Sequence, residues 1–182
     1  SFKTFTTDAG VDILSFGGTK NGMMFGEAVC FLKSGLSGDF KYIRKQSMQL
    51  ASKMRFISAQ YIAYFRDDLW KKCASHANRM AGILAEKISG LPGIKITQVV
   101  QANSVFVIMP GNVAEKVSRS YFFYPWNEKL SEYRLMTGWN TTEDDIEGFM
   151  TVLTRDYKYS VVYIICVPKL YLEISHRKKE VS

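Results

Sequence analysis

From Phe40 to Asp68 the chain contains neither glycine nor proline, whereas glycine recurs every few residues ahead of it. An unbroken run of that length can be helical, and the short glycine-bounded runs before it cannot. Within it Ile43, Met48, Leu50, Met54, Phe56, Ile57, Ala59, Tyr61 and Ile62 recur, with Arg44, Lys45, Lys53 and Arg55 among them. This predicts one long helix, apolar on more than one side. Upstream, Val11 to Phe16 is short and β-rich, Gly17 to Gly22 is a glycine-rich turn, and Met23 to Leu32 reads as a second strand interrupted by Gly26. Lys33 to Asp39 reads as loop.

Downstream the two periodicities alternate. Leu69 to Ser89 is amphipathic and stopped by Gly90 and Pro92, which predicts a second helix. Ile94 to Met109 alternates like one or two strands, Gly111 to Arg119 is a weak helix, and Tyr121–Trp126 and Glu132–Trp139 read as strands. Thr142-Glu-Asp-Asp145 has the spacing of a capping box and starts a helix expected to run to about Thr154. The fold class is therefore mixed α/β. A hinge-like helix separates an N-terminal β piece from a C-terminal α+β piece.

Charge adds little to this. Lys and Arg number 24 against 17 acids, a net +7. Five basic residues against two acids after Asp156 account for +3 of it, so no basic stripe covers the body of the chain and neither nucleic acid nor an anionic membrane is expected as a partner. The longest apolar run, Val161 to Val167, is far shorter than the roughly 20 residues of a membrane-spanning helix. Cys30, Cys73 and Cys166 are scattered and form no CxxC pair, which points to no metal site, no disulfide framework and a reducing, cytoplasmic setting.

Lys20 lies in the least ordinary segment, Ser15-Phe-Gly-Gly-Thr-Lys-Asn-Gly22. Glycines allow a planar ligand to approach, and a lysine that loses its proton is a nucleophile toward an aldehyde. Asn-Gly is equally a favoured hairpin dipeptide. Arg44, Lys45, Lys53 and Arg55 either hold a phosphate or form a solvated helix face. Arg134, inside Tyr133-Arg-Leu-Met136, either meets an anion or points outward on an alternating strand. His76 and His176 read as surface residues, and the methionines as core filler.

Three segments taken together, Asp12 to Gly22, Phe40-Lys-Tyr-Ile-Arg-Lys-Gln46 and Leu50 to Phe56, resemble the low-specificity L-threonine aldolases of the aromatic-amino-acid β-eliminating lyase and threonine aldolase family. The likeness continues through Asp68-Leu-Trp70, His76 to Ala81 and Tyr133 to Thr141, and covers about Ser1 to Arg155. It implies the C-terminal part of a pyridoxal-5'-phosphate enzyme of the aspartate-aminotransferase fold, fold type I. Residues 1–40 would end the large cofactor domain, 41–68 form the connecting helix, and 69–156 the small domain. Residues 157–182 match nothing in the family.

The resemblance further implies that Lys20 forms the Schiff base with the cofactor, with Thr19 and Ser15 beside it. Arg44 would reach the cofactor phosphate, and Arg134 would hold the substrate α-carboxylate. The implied reaction is cleavage of a β-hydroxy amino acid, L-threonine or L-allo-threonine, to glycine and acetaldehyde in a homodimer or homotetramer. A β-eliminating lyase on an aromatic amino acid and a non-catalytic fragment with an incomplete cofactor site are the alternatives. The family's ring-stacking residue and its pyridine-binding aspartate are expected ahead of Ser1. Asn140 stands where the family commonly has aspartate.

Overall fold

The computed structural model describes residues 1–155. The tail 157–182 and the apolar run 161–167 lie outside the described residues. The described residues divide into two compact units, Ser1–His76 with Gly138–Asn140, and Ala77–Thr137 with 141–155.

In the first unit, β1 (Ile13–Gly17) and β2 (Glu27–Phe31) form an antiparallel hairpin in which Ser15 faces Val29 and Gly17 faces Glu27. β2 starts four residues later than the sequence suggests. Gly26 sits at φ +147, and Met23, ahead of it, turns inward and is buried. The expected helix over 40–68 is two helices, α1 (Phe40–Gln46) and α2 (Arg55–Phe65). Their separation has a local cause. After α1 the Gln49 N–H reaches the Arg44 carbonyl (2.9 Å) and the Met48 N–H the Lys45 carbonyl (3.1 Å), while Met48 adopts φ 56. That pair of bonds around a left-handed residue is a Schellman stop. Glycine usually fills the left-handed position because a Cβ there costs about 1–2 kcal/mol. A methionine gives the sequence no sign of it. Phe16, Tyr61, Tyr64, Phe65 and Trp70 converge on one another, with Phe16 5.8 Å from Trp70 and 5.5 Å from Phe65 between ring centroids.

The second unit is built on the sheet β3-β4-β6-β5, with β3 Lys95–Ile96, β4 Ser104–Ile108, β5 Tyr124–Asn127 and β6 Glu132–Met136, all pairs antiparallel. The helix α3 (Leu69–Ile88) gives it Ala77, Met80, Ala81, Leu84 and Ile88, a stripe at three- and four-residue spacing. From Met80 onward that stripe joins Val105, Val107 and Leu135 of the sheet, Val113, Ala114 and Val117 of α4 (Gly111–Ser118), and Ile146, Phe149, Met150 and Leu153 of α5 (143–155) in one core. Val105 and Val107 have no exposure at all. The Thr137 hydroxyl donates to the Ala77 carbonyl (2.7 Å), which ties the end of β6 to α3. The ion pair Lys87–Glu147 joins α3 to α5.

The capping box is formed reciprocally. The Asp145 N–H donates to Thr142 Oγ1 (3.1 Å), and the Thr142 N–H donates to Asp145 Oδ2 (2.8 Å). The backbone and hydroxyl donors of Thr142 hold the Asp145 carboxyl below its usual value. A lowered value means the cap contributes above the ordinary carboxylate range and is lost as pH falls through the folded value. Thr142→Ala is expected to cost about 1 kcal/mol in urea unfolding at neutral pH. The gap between variant and parent should narrow at acid pH as Asp145 protonates in both.

Candidate active site

The hairpin loop between Gly18 and Gly26 carries Lys20. Its base is closed by the Gly18 N–H on the Gly26 carbonyl (3.1 Å) and by the Gly26 N–H on Thr19 Oγ1 (3.0 Å). Thr19, Lys20 and Asn21 form one 3-10 turn, with the Asn21 and Met23 N–H groups both directed to the Gly18 carbonyl at 3.0 and 3.1 Å. Two glycines are required by contact. A Cβ on Gly18 would lie 2.0 Å from Met23 Sδ, and one on Gly26, already at positive φ, would press on Ile57 and Tyr61 at 3.2 Å. The glycine-rich turn expected over Gly17 to Gly22 is thus part of a longer loop, which runs to Gly26 over the buried Met23.

This loop is held to the helices behind it. Asn21 Nδ2 donates to the Tyr64 hydroxyl and to the Trp70 carbonyl (2.9 Å). The Met24 N–H donates to Gln60 Oε1 (3.0 Å), and the Tyr61 hydroxyl to the Phe16 carbonyl (2.9 Å). Burial, followed by the negative charge of Glu27, raises the Tyr61 phenol above its usual value, and burial raises that of Tyr64. Lys20 itself is exposed between these anchors. Its backbone is fixed at both neighbours and its amine is free to swing.

The other expected residues separate by environment. Thr19 uses its hydroxyl within the loop, and Ser15 Oγ donates to Glu27 Oε2 (3.4 Å), so both hydroxyls are engaged. Arg44 lies in the last turn of α1 and is half-buried, unlike Lys45, Lys53 and Arg55, which are exposed. Arg134 belongs to the second unit. On β6 it faces Phe106 of β4 and Tyr124 of β5, on the sheet face opposite Leu135 and the core. A register shift in β5 leaves Trp126 as the extra residue between Pro125 and Asn127, and such a bulge re-aims a side chain. The Trp126 ring packs on Phe106 (5.1 Å), and the Arg134 guanidinium lies 5.6 Å from its centroid. Among the described residues, the buried side-chain nitrogens with no hydrogen-bond partner are Arg44 Nε and Arg134 Nε.

Against known proteins, 151 residues are 44% identical to a low specificity L-threonine aldolase of Pseudomonas aeruginosa, covering 82% of this chain and 42% of that protein. A second low specificity L-threonine aldolase, from another Pseudomonas, is 41% identical over 139 residues, 76% of this chain and 40% of the relative. Over these residues the sequence is similar to that of the threonine aldolases. A solved threonine aldolase from Leishmania major superposes with a TM-score of 0.72 at 28% identity, over 80% of this chain and 43% of that one. The fold-type-I α/β class expected from the resemblance is therefore the class found. The chain spans about two-fifths of the length of these relatives, and no family model matches it.

Asn21, Tyr61, Tyr64 and Trp126 escaped the sequence reading. An asparagine before glycine reads as a turn, and tyrosines at helical spacing read as core. The raised tyrosine values set a pH dependence. Each phenol is held protonated in the fold, so its contribution is complete below the ordinary phenol range near pH 10 and is lost as pH rises through the folded value. Tyr61→Phe should cost about 1 kcal/mol near neutrality by removing the bond to Phe16. It should also soften the alkaline unfolding transition, followed through phenolate absorbance.

Proposed function

We propose that this chain supplies the covalent lysine and the anion-holding arginines of a pyridoxal-phosphate-dependent lyase that cleaves L-threonine or L-allo-threonine to glycine and acetaldehyde. The observation that carries the reading is the pair of orphaned guanidinium nitrogens. A buried, unpaired N–H costs about 1–3 kcal/mol, and an anion on Arg44 or Arg134 would recover that. These are the two arginines that the threonine-aldolase resemblance assigns to a phosphate and a carboxylate.

Lys20 would hold the cofactor through its amine, which the loop leaves exposed, and Arg44 would hold its phosphate. The bound cofactor supplies an electron sink for the carbanion left when the Cα–Cβ bond breaks. Arg134 would bind and orient the substrate carboxylate through a planar fork braced on Trp126. Once the substrate has released it from the cofactor, the Lys20 amine would take or return a proton beside the reacting carbons.

The domain assignment of 1–40, 41–68 and 69–156 belongs to the same reading. Association into a homodimer or homotetramer is supported by the first unit's surface, where Met24, Met48, Phe56 and Ile62 are each at least 60% exposed. Among the described residues no helix is long and apolar enough to cross a membrane. Cys30 and Cys73 are free thiols, which fits a reducing cytoplasm.

In the full-length protein loaded with pyridoxal phosphate, borohydride should fix the cofactor on Lys20, and Lys20→Ala should abolish both the trapped peptide and acetaldehyde release. A cofactor trapped on another lysine in that variant would sink the assignment. Arg134→Lys should weaken substrate binding by about 1.5–3 kcal/mol, the worth of hydrogen bonds to a charged group, with cofactor binding unchanged. Residues 1–182 expressed alone should self-associate and release no acetaldehyde from threonine.

A further inference from the structure

We infer that Asn21 is a positioning residue for Lys20, acting through a clasp to Tyr64 and Trp70; the inference rests on the function proposed above. A lysine that must reach both a cofactor and a substrate needs a mobile side chain on an immobile Cα. The loop around Lys20 meets that need asymmetrically. On one side Thr19 closes on Gly26, a bond within the loop itself. On the other side the Asn21 carboxamide bonds to two other elements, the Tyr64 hydroxyl of α2 and the Trp70 carbonyl in the first turn of α3. Both carboxamide hydrogens are thereby used, and each partner accepts.

The clasp is well placed to transmit position. Tyr64 is 3% exposed and packs its ring on Phe16 and Phe65, so its hydroxyl is a fixed point. The Trp70 carbonyl belongs to a helix and is equally fixed. Gly22, next in the chain, sits at φ +104, where a Cβ would lie 3.6 Å from Cys73 and from Trp139, and it allows the loop to turn immediately after the clasp. The other main-chain anchors, Phe16 on Tyr61 and Met24 on Gln60, lie four residues from Lys20 on either side and cannot fix its Cα alone. Asn21 spends both carboxamide hydrogens on the clasp and so acts on Lys20 through the backbone. It sets where the lysine stem begins.

Three variants of the full-length protein test this. Asn21→Ala removes the whole clasp, Tyr64→Phe removes one acceptor and keeps the ring, and the double variant asks whether they act as one device. In the cofactor-free protein, hydrogen exchange at the Asn21 and Met23 amides should accelerate at least about tenfold in Asn21→Ala, since local opening is what the clasp opposes. In the loaded protein, borohydride trapping on Lys20 should slow and kcat should fall by up to the order of 10²-fold, the effect of misplacing a reacting group by about 1 Å. KM and the dissociation constant of pyridoxal phosphate should stay within about twofold. Tyr64→Phe should show a smaller loss, and the double variant should be no worse than Asn21→Ala.

Wild-type exchange at Asn21 and wild-type kcat in Asn21→Ala would overturn the inference. So would additive losses in the double variant, which would mean that the two residues act separately. If Asn21→Ala does not fold, Tyr64→Phe decides alone: slower trapping with unchanged KM supports the clasp, and unchanged trapping refutes it. Faster exchange in a protein that neither traps the cofactor nor cleaves threonine would count against the proposed function and leave the clasp standing as loop anchorage, without a role in chemistry.

Discussion

The burial of one face of the sheet β3-β4-β6-β5 is the constraint on which the second unit depends. Side chains along a strand alternate between faces, so the burial of Val105, Val107 and Leu135 leaves no choice for their neighbours. Phe106 and Arg134 are placed on the opposite face. An arginine there keeps its stem on apolar surface, and Trp126 offers a ring for its guanidinium. One residue of slip would carry Arg134 into the core and Leu135 out of it. Thr137, bonded to Ala77 and bracketed by Asn103, stops that slip at the end of β6.

The first unit is organised differently. Its buried apolar side chains are few, Met23 and Tyr64, and many of its large apolar groups remain exposed. Its order comes from hydrogen bonds that reach from helices to loop backbone and from an aromatic cluster around Phe16. Such an arrangement suits a loop that presents one long side chain. Directional bonds fix a backbone at named atoms, whereas nonpolar packing fixes a surface. Glu27 adds a charge effect, since it helps keep the Tyr61 phenol protonated and therefore able to donate to Phe16.

The elements differed in how much of themselves they showed in advance. α3, with its stripe and its glycine stop, and the capping box of Thr142 were legible because each rests on residues within a few positions of one another. The split of the expected long helix was not legible. It turns on Met48 accepting a left-handed conformation, and no propensity argument selects methionine for that role. The late start of β2 was hidden for a similar reason. Met23 leaves the strand because a space beneath Gly18 is available to it, and that space exists only after the chain has folded.

For the site, the sequence by itself determined the candidates. A lysine among glycines, an arginine in an apolar strand and a cationic helix were all readable, and the motifs in order pointed to the threonine aldolases. Tertiary structure set their surroundings. It separated Arg44 from the three exposed cations near it and gave both Arg44 and Arg134 a buried nitrogen with no partner. It also brought Asn21 to Tyr64, 43 positions away, and to Trp70, 49 positions away. Local composition can specify which functional group a residue carries. Only the packing of distant segments fixes what surrounds that group, and so whether it is solvated, spent on the fold or left with an unfilled bond.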